Sequence, residues 1–200
     1  YAAGIFYCLK RARCLALNKV EMVYFLFYII LGALLGGKLF YIIFNFESFA
    51  ASSFIDKIRY GFVFFGGFLG ALGLGALYAK RRQISFLKAA DFFCAPLALG
   101  HAIGRAGCFL AGCCYGKISH GFFAVKFTSP ECLVPEHLRG AGLYPTQLME
   151  SFLNLFLFFI LLFFYNRKHK DGNIFALYII GYGMIRFFVE FFRGDDRGAF

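Results

Sequence analysis

Two arginines interrupt apolar stretches of the sequence in which a buried cation is costly. Arg105 lies within residues 92–115, and Arg186 lies within residues 172–192. A charged side chain at the centre of a membrane helix costs about 2.5–3.5 kcal/mol on insertion scales, so such residues usually face a cavity or one another. The planar guanidinium fork donates two parallel hydrogen bonds to a phosphate. The pair therefore predicts a shared polar cavity that binds a phospholipid phosphate.

Other titratable residues extend this candidate site. Four of them lie within or at the edge of apolar stretches: Lys38, Asp91, Glu150 and Glu190. Glu190 follows Arg186 by four residues and His101 precedes Arg105 by four, so each pair shares one face of a helix. Arg186 and Glu190 could form a structural ion pair, and His101 could be a buried histidine bonded to a neighbouring helix. These structural interpretations stand beside the functional ones.

Three cysteines follow Arg105 within ten residues: Cys108, Cys113 and Cys114. With His101 they could bind a soft metal ion, although their spacing differs from the C-x2-C pattern of zinc sites. A nearby cation lowers a thiol pKa, so a reactive or redox-active thiol beside Arg105 is a second interpretation. A cysteine that serves as a small buried hydrophobe is the third. The residues alone leave all three open.

The composition indicates an integral membrane protein. The 200 residues are 60% hydrophobic and include 31 Phe, against about 45–50% apolar residues in a soluble domain. A helix needs roughly 20 residues to cross the hydrocarbon core, and the stretches lack the alternation of barrel strands. We predict an all-α, polytopic helical bundle with an extracytoplasmic loop region, in which residues 1–200 form a single transmembrane domain. Five spans are expected: 22–46, 60–79, 92–115, 151–166 and 172–192.

The basic residues indicate orientation rather than a nucleic-acid partner. The net charge is +10, but Lys and Arg concentrate in short connections such as 79–88 and 166–170. The positive-inside rule places these loops in the cytoplasm and residues 116–145 outside. We therefore expect membrane lipids, and no nucleic acid, as partners.

Small residues recur at four-residue spacing, which lets membrane helices approach closely. Gly32 and Gly36 form one pair, and Gly66 and Gly70 form another. A longer row contains Gly100, Gly104, Cys108, Gly112 and Gly116. We expect helix packing to explain most of these glycines.

Several sequence blocks resemble one known family. The run "GRAGCFLAGCCYGK", from Gly104 to Lys117, resembles the signature of prolipoprotein diacylglyceryl transferases, usually Gly-Arg-x-Gly-Asn-Phe-x-Asn-Gly-Glu. Further blocks agree in order and spacing: "LGGKLFYIIFN", "FFGGFLG", "DFFCAPLALG", "YPTQLMES" and "GYGMIRFFVEFFR". The sequence is identified as a member of a divergent, cysteine-bearing branch. Because the family carries one helix before and one after this region, we expect the 200 residues to belong to a longer chain.

The resemblance implies an activity and a set of site residues. The diacylglyceryl group of phosphatidylglycerol moves to the lipobox cysteine thiol of a preprolipoprotein signal peptide, glycerol phosphate leaves, and neither cofactor nor metal is required. The setting is the bacterial plasma (inner) membrane. Arg105 and Arg186 match the family's two important arginines, and Glu190 matches the residue that would orient Arg186. With His101 added from its place beside Arg105, the expected catalytic residues are His101, Arg105 and Arg186. The expected substrate-binding residues are Arg105, Arg186, Glu190, Tyr144 and Lys38. Motif residues with structural or unassigned roles are Gly104, Gly107, Cys108, Cys113, Cys114 and Glu150.

The sequence departs from the family pattern at polar positions. Phe65 stands where the family carries a functional histidine, and Cys108, Ala111 and Cys113 replace two Asn and a Glu. His101, the only histidine inside an expected span, is then the candidate base for the substrate thiol. Two alternatives stay open. One is a transferase with a different donor or acceptor, and the other is a non-enzymatic redox or metal protein that uses the three cysteines.

Overall fold

A computed structural model describes residues 2–46 and 63–195. The described chain is mainly helical. The protein falls into two compact units: the first contains residues 5–89, and the second contains residues 90–200 together with residues 1–4. Two short 3-10 turns cover Ala12–Leu15 and Glu136–Leu138. The longer elements are α1 (Ala2–Arg11), α2 (Lys19–Phe44), α3 (Phe64–Arg81), α4 (Phe86–Ala111), β1 (Val125–Lys126), β2 (Gly142–Leu143), α5 (Thr146–Tyr165) and α6 (Asn173–Glu190).

Four helices in the described part of the chain, α2, α4, α5 and α6, are long and apolar enough to cross a membrane. This confirms the prediction of an all-α polytopic membrane protein. Four of the five predicted spans correspond to these helices. The other, 60–79, begins outside the described residues; its described part is helix α3, which is less apolar because its 18 residues include five glycines and end with Lys80 and Arg81. Glycine contributes little hydropathy, and the terminal cations lower it further.

Helix α5 shows why these helices suit lipid. Its buried side chains recur every three or four residues, at Gln147, Glu150, Asn154, Leu157 and Leu161. Large phenylalanines occupy the other side and are more than half exposed: Phe152, Phe156, Phe159 and Phe163. This stripe follows the helical period, and a solvent of hydrocarbon stabilises it better than water does.

In the first unit, α2 and α3 pack through the two predicted glycine pairs. A Cβ at Gly32 would collide with the Gly70 carbonyl oxygen, and a Cβ at Gly36 would collide with that of Gly66. No side chain fits at either position, so the backbones touch because all four residues are glycines. The prediction of close packing is confirmed for these pairs.

The longer row on α4 does not behave in this way. A Cβ at Gly100 or Gly104 would meet no described atom within 4 Å. For these two positions, the described residues give no helix contact that would require a glycine. Gly116 lies after the helix, where a Cβ would meet the Tyr144 carbonyl oxygen at 2.5 Å. There the glycine permits an approach between loops, not between helices.

In the second unit, Asp91 joins α4 to the beginning of α6. Its Oδ2 accepts a hydrogen bond from the Gly172 backbone N–H at 2.7 Å, and its Oδ1 accepts one from the Phe175 N–H, also at 2.7 Å. The side chain is buried. An anion at a helix N-terminus satisfies orphan N–H groups and interacts favourably with the helix dipole. This charge in an apolar stretch therefore has a structural role.

Residues between α4 and α5 form a small folded region that helical periodicity did not predict. β1 and β2 pair antiparallel, with Val125 opposite Leu143. Tyr115, Val134 and Leu143 form its buried core. The predicted span 92–115 is also corrected, because α4 ends at Ala111. Gly112 follows with a φ of +73°, a left-handed conformation that ends the helix.

Two other expectations concern the connection after α2 and the beginning of α5. The outer connection expected after α2 falls largely on residues 47–62, outside the described residues. The expected helix over 151–166 begins earlier, at Thr146. Glu150 consequently lies inside the first turns of α5 rather than in the preceding loop.

Candidate active site

A buried carboxylate lies at the centre of the second unit. Glu150 occupies the inner face of α5, and its side chain is only 2% exposed. Glu150 lies on the helical face of α5 that carries its other buried residues, among them Asn154 one turn later. The spacing of these residues in the sequence therefore places Glu150 inside the unit. An isolated carboxylate would be expensive at such a position. It therefore requires cationic partners.

Arg105 of α4 and Arg186 of α6 supply those partners. The Arg105 Nε lies 3.0 Å from the Glu150 Oε2. The Arg186 Nη1 donates to both Glu150 oxygens, at 3.2 Å to Oε1 and 3.1 Å to Oε2. The prediction that the two arginines converge is confirmed, although they are far apart in sequence. The anion that they share is a side chain of the protein itself.

Glu190 makes a weaker contact with the same cluster. Its Oε2 lies 3.6 Å from the Arg186 Nη2, and its side chain is 53% exposed. The helical spacing of four residues correctly predicted this ion pair. Glu150, which the sequence left without a role, holds Arg186 more closely.

Each guanidinium has more N–H donors than its contacts with Glu150 engage. A guanidinium carries five N–H donors, and the contact with Glu150 engages the Nε of Arg105. Both arginine side chains remain about a quarter exposed, at 22% and 24%. The two cations therefore present additional donors towards the accessible side of the cluster.

His101 lies one turn before Arg105 on α4, but its described contacts are with α6. The Tyr178 hydroxyl and the His101 Nδ1 are 3.4 Å apart. The Tyr182 ring centroid lies 4.9 Å from that of His101. A histidine bonded to a neighbouring helix was the structural interpretation, and this contact is present. A role as base depends on the tautomer that the Tyr178 contact selects.

The three cysteines lie close together where α4 ends. The Sγ atoms of Cys108, Cys113 and Cys114 all lie within 4.8 Å of one another, and each residue is partly buried. His101 is not part of this group, so the predicted combination of His101 with the thiols was wrong. Burial, together with the neighbouring thiols of Cys108 and Cys114, raises the pKa of the Cys113 thiol to about 12. Cys113 is therefore protonated at neutral pH in the absence of a ligand.

The thiol loop is held by side chains at the start of α5. The Gln147 Nε2 donates to the Cys113 carbonyl oxygen at 2.7 Å. The Thr146 Oγ1 donates to that of Cys114 at 2.9 Å. Cys114 has a φ of +60°, which is uncommon for a residue other than glycine. These buried donors maintain a backbone conformation that the chain would otherwise leave.

Comparison with known proteins identifies the family. The family model for prolipoprotein diacylglyceryl transferase matches residues 1–200. The chain belongs to this family. The phosphatidylglycerol–prolipoprotein diacylglyceryl transferase of Clostridium tetani is 40% identical over 170 residues, covering 84% of this chain and 67% of that protein. The transferase 2 of Clostridium perfringens is 34% identical over 194 residues, covering 96% and 74%.

A third relative, the phosphatidylglycerol–prolipoprotein diacylglyceryl transferase of Hydrogenovibrio crunogenus, is 35% identical over 176 residues, covering 86% of this chain and 64% of that protein. The chain thus spans about two thirds to three quarters of the length of these three relatives. Because the chain belongs to the prolipoprotein diacylglyceryl transferase family, it is a transferase. Its apolar helices make it a multi-pass membrane protein.

The remaining expected site residues of this prolipoprotein diacylglyceryl transferase family member are placed separately. Tyr144 lies beside the thiol loop, where its carbonyl oxygen accepts from the Gly116 N–H at 3.0 Å and its ring packs on Phe192. Lys38 lies on α2 in the first unit, with its Nζ 5.7 Å from the Tyr41 ring centroid. A Cβ added at Gly104 or Gly107 would meet no described atom within 4 Å. None of these contacts assigns a role, and their assignments stay predictions.

Several polar residues around the Glu150 cluster were not predicted from the sequence. Asn154 is fully buried, and its Nδ2 donates to the Glu150 carbonyl oxygen at 2.8 Å. Ser151 donates to the Ala102 carbonyl oxygen at 2.7 Å and so joins α5 to α4. Arg193 is nearly buried beside Asp195. The pattern of polar residues every three or four positions in α5 could have revealed the first two, because it coincides with one helical face.

Proposed function

We propose that this protein transfers the diacylglyceryl group of phosphatidylglycerol to the thiol of the lipobox cysteine in a preprolipoprotein signal peptide. The proposed setting is the bacterial plasma membrane, with residues 116–145 outside the cytoplasm. Family membership supports the reaction class. We assign the active site to the place where Arg105 and Arg186 both contact Glu150.

The arginines suit the phosphate of the donor lipid. Glu150 brings the two guanidinium groups together before any ligand arrives, so the like-charge repulsion between them is already compensated. A phosphate that binds to their accessible N–H groups receives charge-assisted hydrogen bonds in a partly desolvated setting. The same donors stabilise the charge that develops on the leaving group.

The proposed reaction is a displacement at carbon. The lipobox sulfur forms a bond to the glyceryl carbon of the diacylglyceryl group, and the bond between this carbon and the phosphate oxygen breaks. The electron pair of that bond stays with the departing glycerol phosphate, which Arg105 and Arg186 hold. The thiol proton goes to a base. A cysteine thiol titrates near pH 8.5, so most of the substrate is protonated at neutral pH.

His101 is the proposed base, and Tyr178 is its positioning residue. If the Nδ1–H donates to the Tyr178 oxygen, the Nε2 carries the lone pair that accepts a proton. The opposite tautomer would place a hydrogen on Nε2 and remove the base. A removal of general-base catalysis costs about 10²–10⁴-fold in rate. His101→Gln should therefore lower turnover by such a factor while phosphatidylglycerol binding stays near normal.

The experiment that tests the function is rescue of a bacterial strain depleted of its own transferase. The full chain should restore growth and lipoprotein modification. Arg105→Lys and Arg186→Lys should not, because a lysine loses the planar fork. Arg139→Lys is the matched control, since Arg139 lies in the outer region and contacts only local groups. Failure of the well-expressed parent chain to rescue would reject the proposed function.

A second test addresses the base directly. Purified His101→Gln and the control His120→Gln, in which an exposed loop residue changes, are compared for turnover and for lipid binding. Full turnover by His101→Gln would eliminate His101 as the base. The substrate thiolate would then have to form because Arg105 and Arg186 lower the pKa of the lipobox cysteine thiol.

A further inference from the structure

The thiol cluster is a preformed arrangement, not a chance proximity of flexible side chains. Cys108 lies in the last turns of α4, and Cys113 and Cys114 return towards it after the left-handed Gly112. The carbonyl groups of both loop cysteines are held by buried donors of α5, as described above. The backbone that carries the sulfurs is therefore fixed from two sides.

The sulfur separations fit a coordination site. The three Sγ atoms lie within 4.8 Å of one another. A metal–sulfur bond of about 2.3 Å requires sulfur–sulfur separations of roughly 3.8–4.0 Å in tetrahedral or trigonal geometry. Rotation about the Cα–Cβ bonds can supply the remaining contraction of under about 1 Å, so the backbone need not move.

The surrounding charge favours an anionic metal complex. Three thiolates around a divalent ion carry a net charge of −1, and around a monovalent ion −2. Arg105 interacts electrostatically with Cys108 and Cys114, and Arg193 interacts electrostatically with Cys114. Two guanidinium groups at the rim stabilise such a complex and orient its ligands.

We propose that Cys108, Cys113 and Cys114 form a binding site for a soft, thiophilic metal ion, Zn(II) or Cu(I), held by three thiolates. On binding, each thiol releases its proton to solvent and its sulfur donates an electron pair to the ion. No redox change is required. Soft thiolates select these ions over Mg²⁺ or Ca²⁺. The site lies outside the Glu150 cluster, and the proposal does not rest on the proposed transferase activity.

The test uses the purified full chain in detergent, reduced with a phosphine and freed of metal by a chelator. Zn(II) and Cu(I) are titrated in separate arms, with the bound amount measured by mass spectrometry of the metal and the affinity measured by competition with a chromogenic chelator. We expect one equivalent of one or both ions. Cys108→Ser, Cys113→Ser and Cys114→Ser should each weaken binding at least tenfold.

Matched controls separate this site from general thiol binding. Cys132→Ser, near the loop but outside the sulfur group, should bind like the parent chain. In the parent chain, the ion should slow alkylation of the three clustered cysteines and leave the exposed Cys14 unchanged. This second readout needs no substitution, so an unstable variant does not obscure the answer.

The outcomes decide the proposal. Binding of Zn(II) alone or of Cu(I) alone supports the site and identifies its ion. Absence of stoichiometric binding by both ions overturns the proposal, as does equal protection of Cys14. A disulfide among the three cysteines that persists after reduction would also overturn it, because the ligands would then be consumed.

Discussion

Substitution of Glu150 by glutamine tests the central interaction of the candidate site. Glutamine keeps the size of the side chain but carries no charge and only one carbonyl oxygen. Arg105 and Arg186 would then share a single neutral acceptor in place of two carboxylate oxygens. The amide NH₂ group would also face at least one guanidinium. The variant therefore removes the carboxylate that both partly buried cations share, and it leaves Arg186 with the longer contact to Glu190.

The expected loss follows from the observed distances. At separations near 3 Å and an effective dielectric constant of about 20, each arginine contact amounts to roughly 5 kcal/mol of gross attraction. Desolvation of the ions offsets much of this in the parent chain. Breaking a buried pair by removal of one partner costs about 3–5 kcal/mol, because an uncompensated charge remains. We expect Glu150→Gln to lose stability in that range.

The assay compares unfolding of detergent-solubilised variants by denaturant titration, with circular dichroism to confirm that the starting helix content is equal. Glu190→Gln is the matched control. Its carboxylate is half exposed and 3.6 Å from Arg186, so we expect a loss below about 1 kcal/mol. A companion variant adds Arg186→Met to Glu150→Gln, which removes one unpaired cation and should recover part of the loss.

Equal losses for Glu150→Gln and Glu190→Gln would refute the reasoning. So would strict additivity of Glu150→Gln and Arg186→Met, because residues in contact should couple. Either result would mean that the two arginines do not depend on the buried carboxylate.

Three further predictions follow from the fold. Gly70→Ala should separate α2 from α3 and cost about 1–3 kcal/mol through overpacking. Gly73→Ala, whose added Cβ would meet no described atom within 4 Å, should cost nothing in the same denaturant titration. Asp91→Asn should cost about 1–2 kcal/mol through loss of a helix cap, and the exposed Asp171→Asn should not; equal stability would contradict the capping role. A cysteine at position 82, in the connection expected to be cytoplasmic, should resist an impermeant thiol reagent added outside cells. Labelling at this position would contradict the predicted orientation.

The sequence predicted the membrane class and the arginine pair because both depend on strong, local costs. Apolar stretches of about 20 residues have few alternatives to spanning a membrane. A buried arginine needs an anion nearby, and two arginines on separate helices can meet at one. The glycine pairs of α2 and α3 were predictable for a similar reason, since only glycine permits backbone contact at Gly32 and Gly70.

Other features depended on contacts that no spacing encodes. Periodicity does not state which carboxylate holds an arginine, so Glu190, four residues away, received the role that Glu150 fulfils from another helix. Asp91 was noted from the sequence as a charge at the edge of an apolar stretch, without a partner. Its true partners are backbone N–H groups about 80 residues later in the chain. The short strands β1 and β2 contain two residues each, too few for any alternation to show.

Glu150 has two opposite effects on the proposed binding of a phosphate by the two arginines. Its charge attracts Arg105 and Arg186 to one point, which removes the cost of assembling two cations when a ligand arrives. The same charge repels an incoming phosphate and occupies donors that the phosphate could use. An arginine can satisfy both anions, because its five N–H groups point in several directions within one plane. A lysine presents one point charge and would have to choose between the carboxylate and the ligand. The buried carboxylate therefore makes the guanidinium fork necessary at both positions, and this requirement arises from the protein before any substrate is considered.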